Sequence, residues 1–436
     1  MKGQKVSITN EQKFPFVMET FYICKKLFSM IQLDELKRIV VEQQDIFKSD
    51  KGEITRTALE EVSYIDNFAL IVSGIRRCGK STLLKLLLNQ SIDSLTFVNF
   101  DDPRLFDFEI SDFQKLDMII SEKKSQILVF DEIQVVKGWE RYVRQKLEQE
   151  YKVYITGSNA SLLSRELGTS LTGRHVNYEL FPFSFVEFCK LMGFEKNKES
   201  IEQYLVLGGF PEYLKSKNPE ILRALMDDIL TRDVAVRFNI RDLRSLRRLT
   251  IYLMSNIGNL TSASKLKEPS GISSVTTILE YISYLEQCYL FSFVPKFDYS
   301  VKKQSVNPKK IYAVDLGLVN CNVTKLTADT GHKLENMVYC EIRRKYKDIC
   351  YHKGKGECDF VVLENESVIS AIQVCMSLDA DNRTREINGL LEALNTYNLE
   401  EGYIVTMDQT DFFEIDGKSI KVIPIFEFCR SDKYIM

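Results

Sequence analysis

The chain has 436 residues, of which 44% are apolar and 27% are charged, as in an ordinary globular protein. This length predicts about two to four domains, with enough apolar material for buried cores. The net charge of −3 excludes a nucleic-acid-binding protein that is basic throughout, so such a role would require local patches. No apolar run is long enough to span a bilayer, and ten scattered cysteines without a C-x-x-C pair favour a reducing cytoplasm.

Residues 1–66 are predicted to form a helical segment ahead of the glycine-containing stretch that begins at Gly74. Leu36, Ile39, Val40 and Phe47 recur at helical spacing, which indicates one amphipathic helix. A second, shorter helix is predicted from position 57 to 64. We expect this segment to brace the domain that follows it.

A phosphate-binding motif follows an apolar strand. The strand is predicted over 68–73, the pattern Gly74-x-x-x-x-Gly79-Lys80-Ser81 comes next, and a leucine-rich helix follows. Glycines let backbone N–H groups close around a phosphate, and the helix N-terminus adds partial positive charge. Lys80 is expected to reach the β- and γ-phosphates, and the Ser81 hydroxyl is expected to bind Mg²⁺. The residues expected to contact nucleotide are Gly74, Ile75, Arg76, Arg77, Cys78, Gly79, Lys80, Ser81 and Thr82.

A second apolar strand ends in two carboxylates, Asp131 and Glu132. Parallel strands deliver side chains at their carboxyl ends, where nucleotides bind in open α/β sheets. Asp131 is expected to hold the Mg²⁺ shell, and Glu132 to orient and deprotonate the attacking water. The spacing of about fifty residues from the phosphate loop supports both roles, and hydrolysis as well as binding is predicted.

Residues 67–183 alternate between strands and helices, which predicts an α/β fold with a parallel sheet covered on both faces. The four expected strands cover 68–73, 95–100, 126–131 and 151–156. Ser158 and Asn159 follow the last of these strands, where a polar side chain would hold the lytic water or the γ-phosphate. Turn chemistry explains the same residues equally well. Arg174 is either a residue that completes a neighbouring subunit's site or a surface arginine.

A family resemblance rests on several stretches: GIRRCGKST, ILVFDEIQ, YITGSNASLLS, LTGRH, LFPFSFVEF, YLVLGGFPEYL and TRDVAVR. Together they resemble AAA+-type ATPases of bacteria and archaea, and more narrowly the branch with a C-terminal domain of nuclease-like fold. The resemblance implies ATP as the nucleotide and Ser158 or Asn159 as the polar sensor. It also implies that Arg174 is a candidate arginine finger within a homo-oligomer, such as a hexamer.

The resemblance also implies that residues 184–240 form a helical lid that moves with nucleotide state. Predicted helices cover 185–192, 201–207 and 219–232. Arg232 and Arg237 are positioned either to reach the phosphates or to pair with Asp227, Asp228 or Asp233.

Residues 241–328 resemble a winged helix-turn-helix. The expected elements are helices at 241–256, 262–267 and 273–287, a turn at 269–271, and strands at 289–297 and 311–314. Four lysines are placed in the loop between the strands: Lys302, Lys303, Lys309 and Lys310. Such a module would offer its second helix to a DNA groove and the lysines to phosphates, although winged helices also bind proteins.

Residues 329–436 resemble the PD-(D/E)XK nuclease fold, whose chemistry needs carboxylates for a divalent metal and a lysine for the water. The expected elements are a helix at 332–345, strands at 348–353, 357–363, 367–375 and 402–406, and a helix at 383–397. Glu335 and Asp359 match the acids, but Gln373 and Cys375 stand where an acid and the lysine belong. We therefore expect a domain that does not cut DNA. DNA binding could survive through a basic surface made of Arg343, Arg344, Lys345, Lys347, Lys353 and Lys355.

Three functions remain open at this point. The leading one is an Mg²⁺-dependent ATPase that couples hydrolysis to DNA binding or remodelling through its C-terminal modules. The second is a nucleotide-held signalling switch that binds protein partners. The third is an ATP-gated nuclease, which Gln373 and Cys375 disfavour.

Overall fold

The computed structural model describes residues 31–49, 52–160, 171, 173–323 and 330–430. The first thirty residues of the expected N-terminal segment, residues 161–170 of the family-like stretches and the last six residues of the chain lie outside these ranges. Helix α1 spans Leu33–Lys48 and α2 spans Ala58–Glu61. The Gln43 side chain of α1 bonds to both the backbone N–H and the carbonyl of Asn99. The helix therefore braces an outer strand of the first sheet, as expected.

The first sheet has five parallel strands, which confirms the predicted parallel α/β core. Its elements are β1 (Ala69–Ser73), α3 (Lys80–Leu87), β2 (Leu95–Asn99), α4 (Phe113–Lys123), β3 (Ile127–Asp131), α5 (Trp139–Glu148), β4 (Lys152–Gly157) and β5 (His175–Glu179). Short 3-10 turns lie at Asn89–Ser91, Pro103–Leu105, Ile110–Asp112 and Ile133–Val135. Strand β5 was not predicted, because this edge strand lacks the continuous apolar run by which the other parallel strands were found.

The strand order is β2-β3-β4-β1-β5. Strand β4 therefore lies between the strand that precedes the phosphate loop and the strand that ends in carboxylates. The register pairs Ser73 with Gly157, and Phe130 with Ile155. The carboxyl ends of β1, β3 and β4 consequently meet at one edge, and this edge carries the candidate site.

A helical region follows the sheet. Its elements are α6 (Phe185–Met192), α7 (Lys198–Leu207), α8 (Pro211–Ser216), α9 (Glu220–Asp228) and a π-helical segment (Ile229–Val236). Helix α8 was not predicted, and the expected helix at 219–232 is divided at Asp228 between an α-helix and the π-helical segment. Asp233 of the π-helical segment binds Arg76 of the phosphate loop.

The next region contains α10 (Leu243–Met254), β6 (Leu260–Thr261), α11 (Lys267–Ser270), α12 (Val275–Gln287), β7 (Phe291–Val294), α13 (Val301–Val306), β8 (Lys309–Ala313) and α14 (Leu316–Asn322). The three strands form an antiparallel sheet in the order β6-β8-β7. Three expectations are corrected here. The expected turn at 269–271 is mostly the helix α11, the expected strand at 289–297 is reduced to four residues, and Lys309 and Lys310 belong to β8 instead of a loop.

The final region contains α15 (Thr330–Lys345), β9 (Asp348–Lys353), β10 (Glu357–Glu364), β11 (Ser367–Val374), α16 (Arg383–Tyr397), β12 (Glu401–Thr406), β13 (Asp411–Ile415), β14 (Lys418–Pro424) and α17 (Ile425–Phe428). Its sheet is mixed, in the order β13-β14-β12-β11-β10-β9. Tyr312 of β8 stacks on Tyr339 of α15 with ring centroids 4.3 Å apart. The preceding region therefore shares a core with this sheet.

Within the described ranges, no helix has both the length and the apolar character that crossing a membrane requires. The nine cysteines in those ranges are free thiols.

Candidate nucleotide site

The phosphate loop has the backbone that only glycine adopts easily. Gly74 has a φ of 145°, and a Cβ there would lie 2.1 Å from the carbonyl oxygen of Leu180. Gly79 has a φ of 101° and directly precedes α3. The loop therefore delivers Lys80 and Ser81 to the first turn of a helix, as the motif predicts.

Lys80 is buried at this edge of the sheet. Its ammonium donates to the carbonyl oxygens of Gly74 (3.1 Å) and Ile75 (3.2 Å) and lies 3.6 Å from Glu132 Oε1. Burial disfavours the charged form, but the Glu132 and Asp131 carboxylates outweigh burial and raise the pKa of Lys80. The residue therefore carries a fixed positive charge at the mouth of the loop.

The two residues predicted to hold Mg²⁺ are in contact. The Ser81 hydroxyl donates to Asp131 Oδ2 at 2.8 Å, and the Thr156 hydroxyl donates to Asp131 Oδ1. Burial and the adjoining Glu132 carboxylate raise the pKa of Asp131, so the bare carboxylate pair is costly here. Hydroxyl and carboxylate oxygens are the donors that Mg²⁺ prefers, and a divalent cation would relieve this cost. The residues present therefore fit Mg²⁺.

Glu132 is held by the neighbouring strand. Ser158 donates to its Oε2 from both the backbone N–H (3.2 Å) and the hydroxyl (3.0 Å), and Gln134 donates to the same oxygen. Burial disfavours the carboxylate, but Lys80 and Arg76 outweigh it and lower the pKa of Glu132. The group is thus an oriented, ionised carboxylate. Sequence reasoning missed Thr156 and Gln134, since nothing local distinguishes them. Asn159 is fully buried immediately after Ser158.

The side chains of the phosphate loop connect it to the helical region. Arg76 donates to both carboxylate oxygens of Asp233 (3.0 and 2.8 Å) and to Asp101 (3.2 Å). Arg232 donates to Asp101 at 3.0 Å, so its partner is none of the three aspartates expected from sequence. Arg77 pairs with Asp228 at 3.2 Å. Two acids of the helical region thus hold the two arginines of the loop.

Arg56 is a contributor whose role, nucleotide contact or not, the sequence left open. Its guanidinium is buried and donates to Glu187 (2.8 Å), to the carbonyl of Cys78 (3.0 Å) and to the carbonyl of Phe181 (2.8 Å). These three bonds tie the end of the phosphate loop to Glu187 and Phe181, so we assign Arg56 to holding the loop in shape. No pattern around residue 56 predicts this, because its partners lie far along the chain.

These residues line a cavity of about 440 Å³. This volume lies within the usual range for small-molecule sites. Its lining includes Arg56, Arg76, Arg77, Gly79, Lys80, Ser81, Thr82, Asn99, Asp101, Asp131 and Glu132. The cavity thus brings the phosphate loop and the carboxylate pair to one space.

Arg174 lies away from this cavity. Its carbonyl accepts from Ala69 N at 3.1 Å, so it sits at the beginning of β5, beside the beginning of β1. The phosphate loop starts at the other end of β1, about 13 Å along a five-residue strand. Arg174 is exposed. It therefore faces the wrong sheet edge to serve the nucleotide site of its own subunit.

The residues that the sequence predicts for a nuclease-like site lie together, and Lys310 joins them. Lys310 of β8 donates to Asp359 (2.7 Å) and Glu335 (3.1 Å), and Gln373 Oε1 accepts from Asp359 N at 3.1 Å. Burial and Asp359 raise the pKa of Glu335 to about 8. Burial, with Glu386 next, raises the pKa of Cys375 to about 12, so its thiol stays neutral.

Two expectations about basic surfaces are wrong. Lys310 is buried among carboxylates and cannot meet DNA phosphates. Arg343 donates to Glu179 at 2.7 Å, and Arg344 donates to the carbonyl of Pro182 at 2.8 Å. Both side chains therefore bind the first domain and do not form the expected basic surface. The sequence could not show this, because Glu179 and Pro182 are more than 160 residues away. Lys345, Lys347, Lys353 and Lys355 remain exposed.

Comparison with known proteins agrees with the geometry. Residues 66–189 match a family model described as AAA domain, and residues 198–330 match a domain of unknown function (DUF8612). Uncharacterized protein MJ1544 of Methanocaldococcus jannaschii is 30% identical over 440 residues, which cover 93% of this chain and 95% of that one. An uncharacterized protein of Haemophilus influenzae is 30% identical over 387 residues, covering 83% and 94%.

Solved structures show more distant similarity. A signal transduction ATPase with numerous domains and a tetratricopeptide repeat sensor, from Pyrococcus horikoshii, is 14% identical, with a TM-score of 0.28 and coverage of 69% of this chain and 47% of that one. A RuvB mutant of Thermotoga maritima is 17% identical, with a TM-score of 0.28 and coverage of 61% and 93%.

The AAA-domain match spans the same residues that build the parallel sheet and its nucleotide-site edge. Residues 66–189 therefore form a P-loop domain of the AAA type. The chain belongs to the family that includes the uncharacterized M. jannaschii protein MJ1544.

Proposed function

We propose that this protein is an Mg²⁺-dependent ATPase that couples ATP hydrolysis to DNA binding or remodelling through its C-terminal modules. The observation that carries the proposal is the contact set of Lys80, Ser81, Asp131 and Glu132 at one cavity. It contains a cation for phosphates, oxygen donors for a metal and an ionised base.

Each residue has a separate role in this proposal. Ser81 and Asp131 would hold Mg²⁺, which neutralises charge on the β- and γ-phosphates when bound. Lys80 would exchange its carbonyl partners for phosphate oxygens. Glu132 would accept the proton of the attacking water while Ser158 fixes its orientation from β4. Ser158 is therefore the sensor candidate that the contacts favour.

Two contacts offer a route from this site to the DNA-binding candidate. Ala160, next to the Ser158–Asn159 pair, donates its N–H to the carbonyl of Gln287 at the end of α12 (2.8 Å). Cys288 follows α12, and its thiol donates to the carbonyl of Asp233 (3.5 Å), whose side chain holds Arg76. Nucleotide at the phosphate loop would therefore act on both attachments of α12. This supports coupling of the two regions.

We assign the region from α10 to β8 to a winged helix-turn-helix. Its element order, with α12 before the β7–β8 pair and β8 central in the small sheet, supports this assignment. Lys302 and Lys303 of α13 are exposed, as are Arg241, Arg244 and Arg248 near α10. These cations would contact the DNA phosphate backbone, whereas the buried Lys310 would not.

DNA coupling predicts a stimulated ATPase. Phosphate release should require Mg²⁺, stop with EDTA, and rise with one or more of duplex, branched or single-stranded DNA at low salt. Lys302→Ala with Lys303→Ala should lower DNA affinity and reduce its salt dependence by about two counterions. The matched control changes two lysines of the first domain, Lys123→Ala and Lys124→Asn, since Asn tolerates the left-handed backbone at position 124.

Absence of both stimulation and binding at low salt would contradict the DNA proposal. A protein-binding switch would then be favoured, and one observation already points that way. Val275 and Leu279 of α12 are 39% and 53% exposed, and this helix carries acids but no basic residue. An apolar, non-basic surface suits a protein partner better than a phosphate backbone.

We also propose that the protein acts as a homo-oligomer, such as a hexamer, in which Arg174 serves a neighbouring site. Arg174→Ala and Lys80→Ala proteins should each be inactive alone, whereas their mixture should regain part of the ATPase activity, because some interfaces then have both residues intact. Turnover is measured together with oligomer mass. Arg141→Ala, at another exposed arginine of the first domain, should remain active. A mixed assembly that stays inactive would contradict an arginine finger between subunits.

A further inference from the structure

The carboxylate cluster of the last region surrounds a lysine from the preceding region. The ammonium of Lys310 lies 2.7 Å from Asp359 Oδ1, 3.1 Å from Glu335 Oε1 and 3.1 Å from Glu357 Oε1. The Lys310 side chain is only 4% exposed. These three acids come from α15 and β10, so one cation joins both elements to β8.

The lysine is held in place by backbone and side-chain contacts. Lys310 pairs with Leu260 of β6 and with Val294 of β7, so it lies on the central strand of the small sheet. Two residues further along β8, the Tyr312 hydroxyl donates to Glu335 Oε1 at 2.5 Å. Because strands on both sides fix the backbone of Lys310, its ammonium is less able to leave the cluster than that of a lysine in a loop.

Two further groups of the cluster are also hydrogen-bonded. Asp359 Oδ2 accepts from Val374 N at 2.9 Å, and Gln373 Nε2 donates to Glu386 at 2.6 Å. Across the residues that the structure describes, no group of three or more His, Cys, Asp and Glu side chains is arranged to hold a metal ion. The divalent cation that a nuclease-like fold implies does not fit this site, since a lysine contacts the oxygens it would need.

We infer that the Lys310 ammonium takes the place of the divalent cation in this domain. The carboxylate cluster therefore binds no metal, and its ion pairs with Lys310 fix the domain to β8. This inference rests on the nuclease-like fold that the sequence resemblance implies for residues 329–436. A lysine that activates water would stand beside a metal, with the carboxylates on the metal's other side. Lys310 instead contacts three carboxylates itself, so its ammonium lies among the oxygens that would have to bind the divalent cation.

The test removes the built-in cation and looks for a metal in its place. All proteins carry Ser81→Ala to weaken metal binding at the phosphate loop, and they are kept free of nucleotide. Mn²⁺ binding is measured by calorimetry and thermal unfolding is followed with and without Mn²⁺. The parent should bind no Mn²⁺ at the cluster. Lys310→Met should unfold at a lower temperature, gain one Mn²⁺ site that the parent lacks, and be stabilised by Mn²⁺.

The control is Lys309→Met, the neighbouring lysine of β8, which should behave as the parent does. A parent that binds one Mn²⁺ in a manner sensitive to Asp359→Asn would overturn the inference. A folded Lys310→Met protein that gains no Mn²⁺ binding would overturn it as well.

If Lys310→Met does not fold, a second variant decides. Lys310→Met combined with Glu335→Gln and Asp359→Asn removes the uncompensated charge, and folding should return in metal-free buffer. Failure to refold would contradict a charge-balancing role. None of these readouts depends on ATP turnover or DNA, so their failure is distinguishable from failure of the proposed function.

Discussion

Lys80→Ala is expected to abolish measurable ATP binding, with a loss of at least about 30-fold in affinity. The ammonium is the one basic group among the contacts of Asp131 and Glu132 described above, and it is buried with them. Its removal takes away a phosphate ligand and also leaves two adjacent carboxylates facing the triphosphate. Both effects act in the same direction. Calorimetric titration of ATP in the presence of Mg²⁺ measures the change.

Lys137→Ala is a suitable control, since this lysine is exposed in the same domain and does not line the cavity. Thermal unfolding in the absence of nucleotide confirms that each variant is folded. Near-normal ATP affinity in a folded Lys80→Ala protein would place the triphosphate elsewhere and would remove the basis of the proposed function.

Glu132→Gln is expected to leave ATP binding intact while turnover falls by about 10²- to 10⁴-fold, the usual contribution of a general base. The amide keeps an oxygen that can accept from Ser158, so the local geometry is retained. Single-turnover hydrolysis and ATP titration on the same preparation separate the two effects. Glu150→Gln, at an exposed glutamate of the same domain, should show neither change.

The pH dependence follows from the same contacts. Lys80 and Arg76 outweigh burial and lower the pKa of Glu132 below its ordinary value. A lowered pKa keeps the carboxylate ionised as the pH falls, so turnover should decline only below the usual titration range of glutamate. Normal hydrolysis by Glu132→Gln would show that another group is the base.

The local motifs were readable because their causes are local. Glycines at 74 and 79, the helix that begins at Lys80 and the apolar strand before Asp131 each depend on neighbours a few residues away. The parallel sheet could be predicted because its strands alternate with helices along the chain. Only the edge strand β5 was missed, because it has no continuous apolar run.

Contacts between distant parts of the chain were decided by tertiary structure. Arg76 meets Asp233 across 157 residues and Arg56 meets Glu187 across 131. Lys310 has the sequence surroundings of a DNA-binding lysine, yet β8 carries it into a carboxylate cluster. The sequence gives the charge of a side chain, but its ion-pair partner depends on which elements pack together. For this protein the sequence determined which residues form the predicted nucleotide site, while packing decided which of its cations stay exposed and which are paired inside the fold.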